Sequence, residues 1–218
     1  MPALTVEGLI LKRSNFGEAD RMLTILTKNL GKISVVARGV RKITSRRAGN
    51  VELLNIVKVG LFKGKGYTLT EAQSIKTFPR IKSNLAVSTS AFHILELVNK
   101  ILPEDDPNPR VFDLMKSVLE EFENNPRQII LRGFEIKLLK ATGFWSLNKM
   151  KGLDEKTMDL LERIENTDVS KLSEFEITKN EAIAIERILR YYLEGVLEGK
   201  LKSVDVMNQL RKKLSHSE

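Results

Sequence analysis

The feature that most constrains this chain is a change of hydrophobic period at Phe78-Pro79. Before it, apolar and polar residues alternate. TVEGLILKRS (5–14), DRMLTILTK (20–28), KISVVARG (32–39), VELLNIVKVGLF (51–62) and YTLTEAQSI (67–75) are rich in Val, Ile, Leu and Thr, the spacing and composition of strands. Turn signals part them: Asn15 to Gly17, Asn29 to Gly31, Gly49-Asn50, and Gly64 to Gly66. A lone five-stranded sheet would expose its edges, and closing it removes them. Residues 1–80 therefore predict a small five-stranded barrel with one long connection.

After Pro79 the period becomes 3.6. Val111, Leu114, Met115, Val118, Leu119 and Phe122 fall at i, i+3, i+4, i+7, i+8 and i+11, an apolar helical stripe. Leu85, Phe92, Leu95, Val98 and Leu102 mark a helix before it, and the turn PEDDPNP (103–109) separates the two. Asn125-Pro126 ends the second helix, and residues 128–142 predict a third that stops near Gly143. Thr178 and Glu181 have capping-box spacing for a long helix to about Leu197. A last short helix is expected after Ser203. The expectation is an α+β chain: a barrel domain over 1–80 and an all-helical domain over 81–218, with no internal repeat.

Charge divides at the same boundary. Of the net +8, residues 1–80 hold 15 Lys/Arg against 5 Asp/Glu, and the remainder 21 against 23. The whole basic excess thus belongs to the expected barrel, and the commonest partner for such a domain is nucleic acid. Its densest stretch is ARGVRKITSRRAG (37–49), with five cations and no acid in 13 residues.

Several classes lack support. No apolar run approaches the roughly 18 residues of a membrane helix, and MPALTVEGLILKRS has no features of a signal peptide. With no cysteine there are neither disulfides nor thiolate metal sites, which fits a cytoplasmic protein. The two histidines, His93 within an apolar helix and His216 near the end, offer no metal pair. Glu104, Asp105 and Asp106 read as a solvated turn, and Glu120, Glu121 and Glu123 as the outer face of a helix. GLFKGKG (60–66) is one residue short of phosphate-loop spacing, lacks its hydroxyl and precedes a strand. It reads as a hairpin turn. No metal, cofactor or catalytic residue is expected, and the chain does not read as an enzyme.

A small barrel with a basic face suits single-stranded nucleic acid, where cations track phosphates and aromatic rings stack on bases. Arg41, Lys42, Arg46 and Arg47 are the first expected contacts, followed by Arg13, Arg21, Lys32 and Arg38, with Lys63 and Lys65 on the last hairpin. Neutralising roughly six phosphates would weaken binding by about three orders of magnitude between low and moderate salt. Phe16, Phe62, Tyr67 and Phe78 are the only aromatics in this part. Electrostatics should therefore outweigh stacking.

VEGLILKRSNFGEADRMLTILTKNLGKISVVARGVRK (6–42), LRGFEIKLLKATGF (131–144) and RYYLEGVLEGKLKS (190–203), in this order, resemble the bacterial recombination mediator family RecO. The resemblance implies an oligonucleotide-binding (OB) barrel followed by a helical domain, and a nucleoid-associated role in recombinational DNA repair. It also implies binding of single- and double-stranded DNA, annealing of complementary strands, and loading of RecA recombinase together with RecR onto strands coated by single-strand-binding protein. Many members carry two Cys-x-x-Cys pairs that hold zinc. The equivalent stretch here, SLNKMKGLDE (146–155), has no cysteine, so no zinc is expected. The family places the site for the acidic, Phe-ending tail of single-strand-binding protein on the helical domain. Such a tail needs an apolar pocket rimmed by cations. Arg132 matches a family basic position, and Arg127, Lys137 and Lys140 lie near it in sequence. Two other classes stay open: a basic barrel that serves as a protein-interaction scaffold, and an RNA-binding factor built on the same barrel.

Overall fold

The structure, a computed structural model, describes residues 3–147, 150, 152–198, 201, 203, 204, 206, 207, 209 and 210. His216 lies outside the described residues. Five strands form a closed barrel in the order β1-β2-β3-β5-β4: β1 (Ala3–Phe16), β2 (Asp20–Thr27), β3 (Gly31–Ala37), β4 (Ile56–Lys63) and β5 (Tyr67–Lys76). All pairs are antiparallel except β3 with β5, where Val35 and Val36 lie parallel to Tyr67 and Thr68.

Strand β1 makes closure possible by serving two neighbours. Gly8–Phe16 pairs with β2, and Ala3–Leu9 pairs with β4. The register shifts between Ile10 and Lys12, so Leu9, Ile10 and Leu11 are all buried and the strand bends where it changes partner. A Cβ on Gly8 would stand 2.4 Å from Ile25 Cγ2, which explains the glycine at the crossing.

Inside lie Ile10, Leu23, Ile25, Ile33, Val35, Val57, Val59, Leu61 and Leu69. Burying each contributes about 1.5–3 kcal/mol, whereas an exposed ion pair adds under about 1 kcal/mol. The interior therefore sets most of the barrel's stability.

The fourth strand departs from expectation. It starts at Ile56 rather than Val51. Val51 and Leu54 are fully buried but irregular, and Leu54 has φ 71°. Val40 and Val51 join the barrel core and Leu54 is buried as well, so the apolar residues before Ile56 fix the loop instead of extending the strand.

Helices follow: α1 (Pro79–Ser83), α2 (Leu85–Ile101), α3 (Pro109–Asn124), α4 (Gln128–Ala141), α5 (Glu155–Asn166), a 3₁₀ segment (Val169–Glu174) and α6 (Lys179–Leu197). Two compact units result. Residues up to Phe78 group with Val98–Asp113; Pro79–Leu97 groups with the described residues from Leu114 onward. The turn after α2 belongs to the barrel unit because its backbone joins β3: Asp105 N–H donates to the Lys32 carbonyl at 2.9 Å, and Glu104 accepts from Ser34 Oγ at 3.2 Å. Gly31, with φ +72°, passes so close that a Cβ would stand 2.3 Å from the Asp106 carbonyl oxygen. The side chains of Glu104, Asp105 and Asp106 are exposed, as the sequence suggests, and the backbone of the turn is docked on β3.

In the second unit α4 is the hub. Every residue from Ile129 to Ile136 is buried, as are Leu138 and Leu139, and α5, the 3₁₀ segment and α6 pack on it. Helix α6 opens with the expected capping box: Thr178 Oγ1 accepts from Glu181 N–H, and the Glu181 carboxylate accepts from Thr178 N–H.

Candidate nucleic-acid interface

The basic connection between β3 and β4 is a chain of tight turns. Lys42, Ser45, Ala48 and Asn50 donate their N–H groups to the carbonyls of Gly39, Lys42, Ser45 and Arg47. Asp20 accepts from Gly39 N–H at 2.7 Å. At the far end Asn55 donates to the carbonyls of Gly49 and Asn50, and Asn50 accepts from Ser74. A loop tied at both ends holds its side chains in fixed places.

Its cations divide into two kinds. Arg41 reaches back to the β1–β2 turn, donating to the carbonyls of Gly17 at 3.2 Å and Glu18 at 2.9 Å. Arg47 donates to the carbonyls of Leu69, Thr70 and Arg38 at 3.0, 3.3 and 2.8 Å. These two arginines fasten the loop to the barrel. Arg38, Lys42 and Arg46 are exposed and make no such bond among the described residues, which leaves their charge for a ligand.

Other expected contacts are already engaged. Arg13 and Arg21 converge on Glu52 as ion pairs. Lys32 is withdrawn from the surface: it is 7% exposed, and its ammonium donates to the Asn99 carbonyl at 2.7 Å. Burial holds that ammonium below the ordinary lysine value, with Glu104 partly offsetting. The sequence placed Lys32 on the outer surface, and the docked turn after α2 is what covers it. Lys63 stands 5.3 Å from the Tyr67 ring centre. Lys65 is exposed on the same hairpin.

An open groove of about 690 Å³ runs over the outside of β1, β4 and β5 beside the loop. Arg46, Arg47 and Lys58 line it with Thr5, Asn50 and Gln73, and Glu71 is its one acid. Its volume falls within the range of small-ligand sites, about 300–1,000 Å³. Lys58, exposed on β4, is a groove cation absent from the contacts expected from the sequence. Its alternation outward on β4 was the available signal.

In the helical unit the four expected tail contacts do not converge. Arg127 donates to the carbonyls of Ser173 and Phe175 and so staples the 3₁₀ segment. Lys137 donates to the Glu165 carbonyl and Lys140 to its carboxylate, at 2.8 and 2.5 Å. Burial holds Lys137 below its ordinary value, with Asp168 opposing. Burial alone would push Glu165 up, but hydrogen bonds from Lys140 and Trp145 outweigh it and the carboxylate is lowered.

Arg132 turns the other way. It is 6% exposed and donates to Glu135 at 2.8 Å. His93 Nε2 lies 2.8 Å from the other Glu135 oxygen, and His93 Nδ1 lies 2.9 Å from Ser203 Oγ. Glu96 accepts from Ser203 N–H at 2.8 Å. His93 is therefore a buried link in a polar network, and not a lone packed side chain. The recess beside it, lined also by Arg190, Leu193, Leu201 and Met207, has about 20 Å³ of free space. That holds about one water, far short of a phenyl ring. Among the described residues no group of three or more His, Cys, Asp or Glu could hold a metal ion, and no helix is long and apolar enough to cross a membrane.

Family models decide the relationship. One described as "Recombination protein O N terminal" matches residues 1–78, and one described as "Recombination protein O C terminal" matches residues 82–145 and 146–205. The chain belongs to the recombination protein O family. Relatives named "DNA repair protein RecO" include one from Dehalococcoides mccartyi, 40% identical over 63% of this chain and 55% of its own length. Another from Acetivibrio thermocellus is 37% identical over 66% of this chain and 59% of its own length. A third, from Desulforamulus reducens, is 27% identical over 97% of this chain and 96% of its own length. In its strongest matches the chain thus spans little more than half the length of the relatives. The closed barrel followed by helices is the layout that the two family domains describe.

Proposed function

We propose that the barrel unit binds the phosphate backbone of DNA in the groove beside the basic loop, and that the chain serves DNA repair as a recombination mediator without catalysing a reaction. One observation carries the reading. Among the described residues the side chains of Arg38, Lys42, Arg46 and Lys58 are exposed and without a partner, on a preordered surface within a segment that holds the chain's whole basic excess. An unpaired surface cation condenses readily onto phosphate, and each contact releases counterions. Arg41 and Arg47 act indirectly by holding the loop in place.

Annealing of complementary strands, action with RecR in loading RecA, binding to duplex DNA, and contact with the acidic tail of single-strand-binding protein belong to the same proposal. Family membership supports them. Arg132 is excluded from our proposed first contacts for the tail, because its guanidinium is committed to Glu135 and the recess beside it is too small for a phenyl ring. Arg127 and Lys140 are exposed, but Arg127 is bonded to the carbonyls of Ser173 and Phe175 and Lys140 to Glu165, so either would have to exchange that partner for the tail.

Fluorescence anisotropy of labelled single-stranded DNA across a salt series tests the reading. Four phosphate contacts predict a slope of roughly −2.8 and a weakening of about 50-fold between 50 and 200 mM salt. Lys42→Glu with Arg46→Glu should weaken binding and flatten that slope, while a distant control such as Lys171→Glu should change neither. Absence of binding by the wild type would overturn the proposal. An equal affinity for RNA of the same sequence would move it to the broader class of single-strand binder.

A further inference from the structure

The tip of the basic loop carries a side chain that phosphate binding does not explain. Ile43 is 105% exposed, more than any other large apolar residue described. It follows Lys42 and sits within the turn closed by Ser45 N–H on the Lys42 carbonyl at 2.9 Å. Its neighbours Lys42, Thr44 and Arg46 are exposed as well. The turn does not swing freely, since Arg41 ties one side to Gly17 and Glu18 and Arg47 ties the other to Leu69 and Thr70. An aliphatic side chain is thus held out in water between two unpaired cations, on a rigid support.

We propose that Ile43 is a wedge that enters the gap between two neighbouring bases of a DNA strand whose phosphates lie on Lys42 and Arg46. This inference rests on the DNA-binding reading given above and adds a mode of contact to it. Apolar wedges between base steps are an established way for proteins to unstack nucleic acid. Isoleucine has no π face, so it does not substitute for a stacking platform; it separates bases. Cations on both sides of the tip supply charge complementarity to two successive phosphates, and the groove with Arg46 and Lys58 continues the same path. Burying one aliphatic side chain returns less than the stacking and pairing lost at a duplex step. The preferred substrate is therefore a single strand, where only stacking opposes insertion. A strand held with opened steps presents its base edges for pairing.

The test uses a single-stranded oligonucleotide with a central 2-aminopurine, whose fluorescence rises when it is unstacked. Saturating wild-type protein should raise the emission severalfold. Ile43→Ala should keep the same salt slope and bind several-fold more weakly, and at saturation it should lose most of the rise. Ile43→Leu should keep it. A full rise with Ile43→Ala, or binding by the wild type with no rise, would overturn the wedge and leave the phosphate-binding proposal standing. No binding by the wild type in anisotropy would overturn both. Retention of the full rise by Ile43→Ala, with loss of its binding to vesicles of phosphatidylglycerol, would reassign the tip to an anionic membrane surface.

Discussion

The basic loop of the barrel and the polar cluster of the helical unit both gather charge, and they use it in opposite ways. In the cluster each member has a partner: Arg132 and His93 share Glu135, and His93 also meets Ser203. All four are under 10% exposed. In the loop, committed and uncommitted cations are mixed, with the Arg41 and Arg47 side chains bonded to main-chain carbonyls and those of Arg38, Lys42 and Arg46 without a partner among the described residues. Charge density alone therefore does not mark a binding residue; the absence of an internal partner does. A buried network is costly to break, because each partner left behind keeps its desolvation penalty. A free surface cation is cheap to remove for the fold, and its loss falls on the ligand.

The strongest way to break this contrast is Glu135→Ala. It strands Arg132 and His93 in the interior, and such truncations cost about 3–5 kcal/mol. Trp145 is the single tryptophan of the chain and lies in the helical unit, bonded to Glu165. Urea unfolding followed by its fluorescence therefore reads the right region. The midpoint should fall sharply. A shift below about 1 kcal/mol would show that the cluster is no tighter than a surface pair.

Within the loop the same comparison can be made between adjacent residues. Arg47→Ala leaves three carbonyls without their donor, and removing charged hydrogen bonds of this kind costs about 1–3 kcal/mol. Arg46→Ala touches no internal partner and should stay within about 0.5 kcal/mol of wild type. Native-state hydrogen exchange at the amides of Val57 and Val59, inside the barrel, measures both. Equal costs for the two would mean that the carbonyl bonds of Arg47 do not fasten the loop.

How much of this was legible beforehand follows from what kind of partner each residue has. Alternation revealed the strands because their burial is side chain on side chain with period two. It misplaced the start of β4 because Val51 and Leu54 are apolar for a different reason, as plugs of an irregular segment. The charge of the loop was plain, but its division was not: Arg41 and Arg47 bond main-chain carbonyls of Gly17, Glu18, Leu69 and Thr70, and any residue has a carbonyl. Lys32 was misread on the same ground, since its acceptor is the carbonyl of Asn99 at the end of a distant helix. Helix α5 has only Leu160, Leu161 and Ile164 buried, a stripe too short to stand out. The capping box of α6, by contrast, is local in sequence and was read directly.

That capping box supplies the smallest effect, and it extends the comparison to a charge that is only part-buried yet committed. The Glu181 carboxylate is held at about 2, below its ordinary 4.5, first by the Lys156 ammonium and then by the N–H and hydroxyl of Thr178. Lys156 is raised in return by Glu181. A carboxylate lowered in the folded state stabilises above its unfolded value, and that contribution is lost as pH falls from about 4.5 through about 2. Acid should therefore fray the start of α6 in that window while α4 holds. The Lys156 contact is solvent-exposed, so about 1 M salt, with a screening length near 3 Å, should move the transition upward. Carbon-13 NMR of the Glu181 side-chain carboxyl follows the titration directly. Because Lys156 is the larger cause, Lys156→Ala should raise the midpoint more than Thr178→Ala does. The reverse order would make the Thr178 hydroxyl, and not the ion pair between α5 and α6, the stronger side-chain partner of this carboxylate.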